Sequence, residues 1–147
     1  MNLKGRCVED LERNDSDMMD KLAYTVHSDK PFDEVVANIE NQTAENQFRV
    51  LAVHDVKQTL AEKGLERKPL KIIEVCNAKF AHEALGREVN VAMFMPCKFT
   101  VYEEDNGKTA VTLARPQMIA ELMPQAGLDD LAADVETTLK KVMESSI

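Results

Sequence analysis

Two of the three cysteines stand where a thiol could do chemistry. Cys76 ends the run KIIEVC and is followed by Asn77 and the helix-like stretch AKFAHEAL, while Cys97 opens CKFTVYE just after Met95 and Pro96. A thiolate is a nucleophile and a soft metal ligand, and a helix N-terminus beside it favours the charged form, as does a neighbouring cation such as Lys79. The functional expectation for Cys76 is therefore a reactive or metal-binding thiolate with a lowered pKa. The competing expectation is a small buried hydrophobe, the common role of a free cysteine. Cys97 shares a strand face with Phe99 and Val101, the face that should look into the core. If the strands flanking the intervening helix run antiparallel, both cysteines come to the same end of the sheet. They are then in reach of a shared ligand, a metal or a reversible disulfide, the last requiring Cα atoms under about 7 Å apart.

The neighbours of these thiols supply further candidates. His82 lies six residues beyond Cys76, and a Cys/Cys/His set suits zinc or copper, although its spacing matches no standard zinc pattern. A half-buried helix histidine is the plainer reading. Glu74 shares a strand face with Cys76 and is a candidate proton acceptor or hydrogen-bond partner, weighed against an exposed strand acid. Asn77 reads as a helix N-cap, its side-chain oxygen accepting a free backbone N–H. His27 and His54 sit at strand ends as surface histidines, and Cys7 lies in a polar N-terminal stretch as a bystander. The sequence contains no Gly-rich phosphate loop, nucleophile elbow or paired-carboxylate motif.

The elements that must position these residues follow from periodicity. Residues 1–21 are polar and acidic, with Val8 and Leu11 at helical spacing, and are expected to form an N-terminal extension to a single domain over 22–147. LAYTVH alternates as a half-buried strand. Phe32, Val35, Val36 and Ile39 recur at helical spacing, with Asp33 and Glu34 suited to the first turn and the cap left open between Ser28, Asp29 and a later residue. FRVLAVH is a second strand. Asp55 caps the short helix VKQTLAEK, which Gly64 stops. LKIIEV is a third strand, and the helix after Asn77 is expected to end near Gly86. DNGK between KFTVYEE and TAVTLA is a strong hairpin signal. Pro116 starts a brief helix through Met123, halted by Pro124 and Gly127. In the last helix Leu128, Leu131, Ala132, Val135, Leu139, Val142 and Met143 form one apolar stripe. The fold class is α+β: a mostly antiparallel sheet with helices on one side.

Composition narrows the function. The chain of 147 residues fits one domain. Its net charge of −8, with eighteen Lys and Arg among twenty-six acids, argues against nucleic acid, which demands a basic stripe. No run is long enough to span a membrane, the longest apolar stretch, VAMFMPC, being read as a short core segment. MNLKGRCVEDLERND has no secretory h-region, and an odd number of cysteines favours reduced thiols in a cytoplasmic protein. Lys98, Thr100, Tyr102, Ala110, Thr112 and Ala114 line the hairpin's second face, the side left open if helices cover the other, where a partner subunit could pack. Met93, Phe94, Met95, Met118 and Met123 add adaptable apolar bulk, in a core, an interface or a pocket.

The runs HDVKQTLAEKG, KIIEVCNAKFAHEAL and MPCKFTVYE resemble domain-of-unknown-function family 302 (DUF302), a group of small, mostly prokaryotic proteins. The likeness spans residues 22–120 and rests on the Cys-Asn and Pro-Cys landmarks in the right order; Ala78 departs from it, since a proline is usual there. The resemblance implies a two-layer sandwich with a curved antiparallel sheet and helices on one face, similar to the TATA-binding-protein fold, and a homodimer. It implies no settled activity, and the fold likeness does not carry DNA binding with it. The leading expectation is a non-enzymatic, dimeric binding module with a site around Cys76, Asn77 and Cys97 for a small ligand, a metal or a redox signal. The second is a thiol enzyme with Cys76 as nucleophile, Cys97 as resolving thiol, and His82 or Glu74 assisting. The third makes the cysteines structural and puts function on the open sheet face as a protein-interaction surface.

Overall fold

The computed structural model describes residues 17–147. Strands β1 (Ala23–Ser28), β2 (Arg49–Asp55), β3 (Leu70–Cys76), β4 (Cys97–Glu103) and β5 (Thr109–Ala114) form one sheet in the order β1-β5-β4-β3-β2, every pair antiparallel. Between them lie α1 (Phe32–Glu45), α2 (Val56–Ala61) and α3 (Ala78–Arg87), and after them α4 (Pro116–Leu122) and α5 (Asp129–Glu144). Three-residue-per-turn helices occupy Val89–Phe94 and Pro124–Ala126. The α+β class and antiparallel sheet expected from the pattern are what the chain forms. Residues 17–22 are helical, so secondary structure begins within the stretch read as an extension. The readings made on Cys7, Val8 and Leu11 lie outside the described residues.

Local chemistry explains most boundaries. The Asp55 carboxylate accepts from the Gln58 N–H at 3.0 Å, capping α2, and Gly64 ends that turn in the left-handed region at φ 72°. The β4–β5 hairpin turns on Gly107 at φ 83°, with the Glu104 N–H bonded to the Lys108 carbonyl at 2.8 Å. α1 starts after Pro31 with no side-chain cap, which settles the choice between Ser28, Asp29 and a later residue in favour of the last. α3 ends at Arg87, near Gly86 as expected, and Glu88 follows, its carboxylate capping the next turn.

The main core lies between the sheet and the helices. Ile73 and Val75 of β3, Phe99 and Val101 of β4, and Val111 and Leu113 of β5 are sealed against Val35 and Ile39 of α1 and Leu139, Val142 and Met143 of α5. Their alternation along each strand is the period-2 signal of a sheet with one buried face. A second, smaller cluster joins Val91, Ala120, Met123, Leu128, Leu131 and Ala132, and Phe80 packs against both. The other sheet face carries Thr100 opposite Thr112 and Tyr102 opposite Ala110, as expected. At the β2 edge the pairing with β3 slips between Val50 and Ala52, leaving Leu51 without a partner and half exposed. No helix among the described residues is long and apolar enough to cross a membrane.

One ion pair ties the layers together. Arg115, after β5, reaches Glu136 of α5 with its Nε at 2.8 Å from Oε1 and Nη2 at 3.4 Å from Oε2. Glu136 is only 2% exposed, and that guanidinium is its partner inside the fold. Arg115→Ala should cost about 3–5 kcal/mol in urea unfolding, because it strands a buried carboxylate. Replacing both partners, as Arg115→Met with Glu136→Leu, should cost much less. Equal losses would mean that the pair's burial is not what stabilises this joint.

Candidate functional site

Where the two apolar clusters meet they fail to close. A cavity of about 90 Å³ remains between the end of the sheet, α3, the turn at Val89–Phe94, α4 and α5. Its volume is left by small residues on the inner faces of three helices: Ala81 and Ala84 of α3, Ala120 of α4 and Ala132 of α5 all line it. Phe48 and Phe80 bound it as a stacked pair, centroids 6.2 Å apart and planes at 27°. Phe94 lines it and is 40% exposed, so the cavity meets solvent beside that turn.

Cys76, Asn77 and Cys97 all line this cavity. The register explains the meeting: β3 and β4 pair antiparallel with Val75 opposite Cys97, so Cys76 is one residue further along. Strand spacing and rise put the two cysteine Cα atoms about 6 Å apart. Cys97 follows the core face, packed against the main cluster with Phe99 and Val101 as expected. The two sulfurs are not joined in a disulfide.

Asn77 is a structural residue. Its Oδ1 accepts from the Lys79 and Phe80 N–H groups at 3.0 and 3.2 Å, and its Nδ2 donates to the Gln47 carbonyl at 2.9 Å. It thereby starts α3 and fastens it to the loop before β2. At the far end Arg87 bonds Glu83 at 2.6 Å and Asp130 at 2.8 Å, holding α3 to the start of α5. Hydrogen bonding to Arg87 keeps the Asp130 carboxyl below its ordinary range. Ala78, where the resembled pattern has proline, continues this helix without disturbing the cap.

The electrostatics reverse the expectation for Cys76. Burial raises its thiol pKa rather than lowering it, and the Lys79 and Phe80 N–H groups at the start of α3 are held by the Asn77 cap. Cys97 is pushed up to about 11, chiefly by burial and further by the proximity of Cys76. Both are neutral thiols at neutral pH.

Two other candidates are not brought to the thiols. Glu74 shares Cys76's strand but lies on the open sheet face, its Oε1 3.4 Å from Nε2 of His54, and it does not line the cavity. Strand alternation carries it away from Val75, while Cys76, as the last strand residue, turns with the chain toward α3. His82 is exposed: Phe80, Ala81 and Ala84 occupy the inner face of α3, which rotates His82 outward. Among the described residues, no three His, Cys, Asp or Glu side chains are grouped to hold a metal ion. His27 pairs with Glu104 at 2.9 Å, far from the cysteines in the sheet order.

The stretch VAMFMPC is only partly core. Val91 is buried, but Met93 and Phe94 are 72% and 40% exposed, while Met95, Pro96 and Cys97 line the cavity. The tight turn explains this, since three residues per turn stack Val91 and Phe94 on the cavity side and leave Met93 outside. Sequence reasoning missed the cavity itself. Its available signal was the recurrence of alanine where an amphipathic helix normally places a larger core residue.

A small α+β protein with a five-stranded antiparallel sheet and an apolar cavity at the sheet's end is the class defined by this architecture. The chain belongs to the family described as domain of unknown function DUF302, whose model matches residues 24–146. It is similar to the crystal structure of an uncharacterized conserved DUF302 protein from Bacillus stearothermophilus, at 32% identity and a TM-score of 0.81, over 86% of this chain and 98% of that one. No curated protein matches.

Asn77→Ala should lower stability by about 1–2 kcal/mol through loss of the cap. Asn77→Asp, which keeps the accepting oxygen, should retain most of it in the same melts. The thiols give a pH signature. Their folded pKa values lie above the free-thiol value of about 8.5, so the stability they contribute is complete below that pH and lost as pH rises through the folded values, toward about 11 for Cys97. Denaturant midpoints should therefore fall across this alkaline window in the native chain and fall less in Cys97→Ala. A thiolate absorbance titrating near neutrality would contradict the burial argument.

Proposed function

We propose that this protein is a non-enzymatic binding module whose ligand site is the cavity at the end of the sheet, and that the ligand is small and apolar. The observation that carries this reading is the cavity's lining. Apart from the two thiols, Asn77 is its one polar side chain, and that amide is committed to backbone groups. Apolar walls with few polar groups are the usual character of a small-molecule site. The volume of about 90 Å³ has room for several water-sized groups, the size of a ring or a short alkyl chain. Exposed Val89 and Met93 beside Phe94 give an entering apolar group a surface to meet first.

The thiol-enzyme reading has weaker support. A nucleophilic thiol needs a base or a lowered pKa, yet no His, Asp or Glu lines the cavity and burial raises both thiols. Binding also needs no group that titrates near neutrality, so affinity should stay flat between about pH 5 and 8.

Binding of small aromatic and alkyl probes, followed by ligand-observed NMR, tests the proposal. The native chain should bind them, and Ala84→Phe, which fills the space, should abolish binding while melting no lower than about 1–3 kcal/mol below native. Binding unchanged in that variant, or absent in the native chain, would remove the cavity as the ligand site.

A further inference from the structure

Three sulfur-bearing side chains line the cavity: Cys76, Cys97 and Met95. Among the described residues no histidine or carboxylate joins them, and the Asn77 oxygen already holds two N–H groups. Such a donor set is selective. Hard cations require oxygen ligands, and zinc is usually held by four thiolate, imidazole or carboxylate donors, whereas thiolate with thioether favours copper(I). The backbone supports the grouping. Cys76 follows Val75, which faces Cys97 across the β3–β4 pair, and Met95 precedes Cys97 by two residues.

We propose that Cys76, Cys97 and Met95 form a binding site for copper(I). The proposal rests on the same cavity being a ligand site and adds a soft ion, held by the sulfurs, to the apolar guest as an occupant. Binding is an exchange without redox change. The two S–H bonds and the ion's bonds to its chelator break, two copper–thiolate bonds and one copper–thioether bond to Met95 form, and two protons leave to solvent. The resulting complex of two thiolates and one copper(I) carries a single negative charge, one fewer than the two bare thiolates would place in the cavity. Among the described residues, the walls add no carboxylate or imidazole that would compete for the ion.

The test is an anaerobic titration of the reduced full-length protein with copper(I) held by bicinchoninate. The native chain and Cys7→Ser should both withdraw copper stoichiometrically from the chelator and develop thiolate-to-copper ultraviolet absorption. Cys76→Ser and Cys97→Ser should each lose this retention. Met95→Leu, which conserves volume, should weaken it by about 10- to 100-fold while leaving the melting transition in place. Failure of the native chain to withdraw copper, or retention that survives in Cys76→Ser and Cys97→Ser, would overturn the site. So would retention lost in Cys7→Ser alone. Binding of the apolar probes, measured on the same preparations, separates the two readings: probes bound without copper retention overturn this inference alone, whereas loss of probe binding by the native chain overturns the cavity reading.

Discussion

The Phe80 ring touches both apolar clusters, and the arrangement of the molecule around the sheet's end depends on that double contact. It stacks on Phe48 at the mouth of β2 and reaches toward the cluster built by α4 and α5. The ring sits on the first turn of α3, so its position is set by the Asn77 cap, which in turn holds Gln47. A chain of local constraints thus runs from one amide to one aromatic ring to two cores. Because a single ring bridges them and the helices beside it present alanines, the clusters touch without merging. The cavity is the geometric remainder of that incomplete closure.

This origin governs the chemistry available there. A space bounded by alanine, aromatic rings and strand ends has a low dielectric and few polar groups, which keeps a thiol protonated and deprives it of a base. The same surroundings that disfavour nucleophilic catalysis favour an apolar guest or a soft ion. Burial of Cys97 and the turning of His82 and Glu74 away from the cavity are two results of one packing arrangement.

Much of the frame was legible in the sequence, since it is written in local signals. Asp55 and Asn77 are caps, Gly64 and Gly107 supply left-handed turns, and alternating residues in CKFTVYE mark which face is buried. The meeting of Cys76 and Cys97 was deducible from antiparallel order alone. What the pattern did not reveal was set by tertiary packing. The sign of the shift at Cys76 depends on how far the fold withdraws that thiol from water. The outward turn of His82 depends on which face of α3 meets the core, that of Phe80, Ala81 and Ala84. VAMFMPC misled because hydrophobicity does not distinguish a buried strand from a tight turn flanking a cavity.

The irregular pairing at Leu51 bears on how this chain coexists with its own copies in a crowded solution. β2 borders the sheet and carries exposed Leu51 and Val53, the composition of a strand that recruits another strand. An incoming backbone can zip along such a border only while donors and acceptors repeat in step. The unmatched residue between Val50 and Ala52 breaks that rhythm after the first two positions, and Asp55 places a charge at the other end. The edge is left with two short fragments, neither of which offers an added strand a long run of regular pairing.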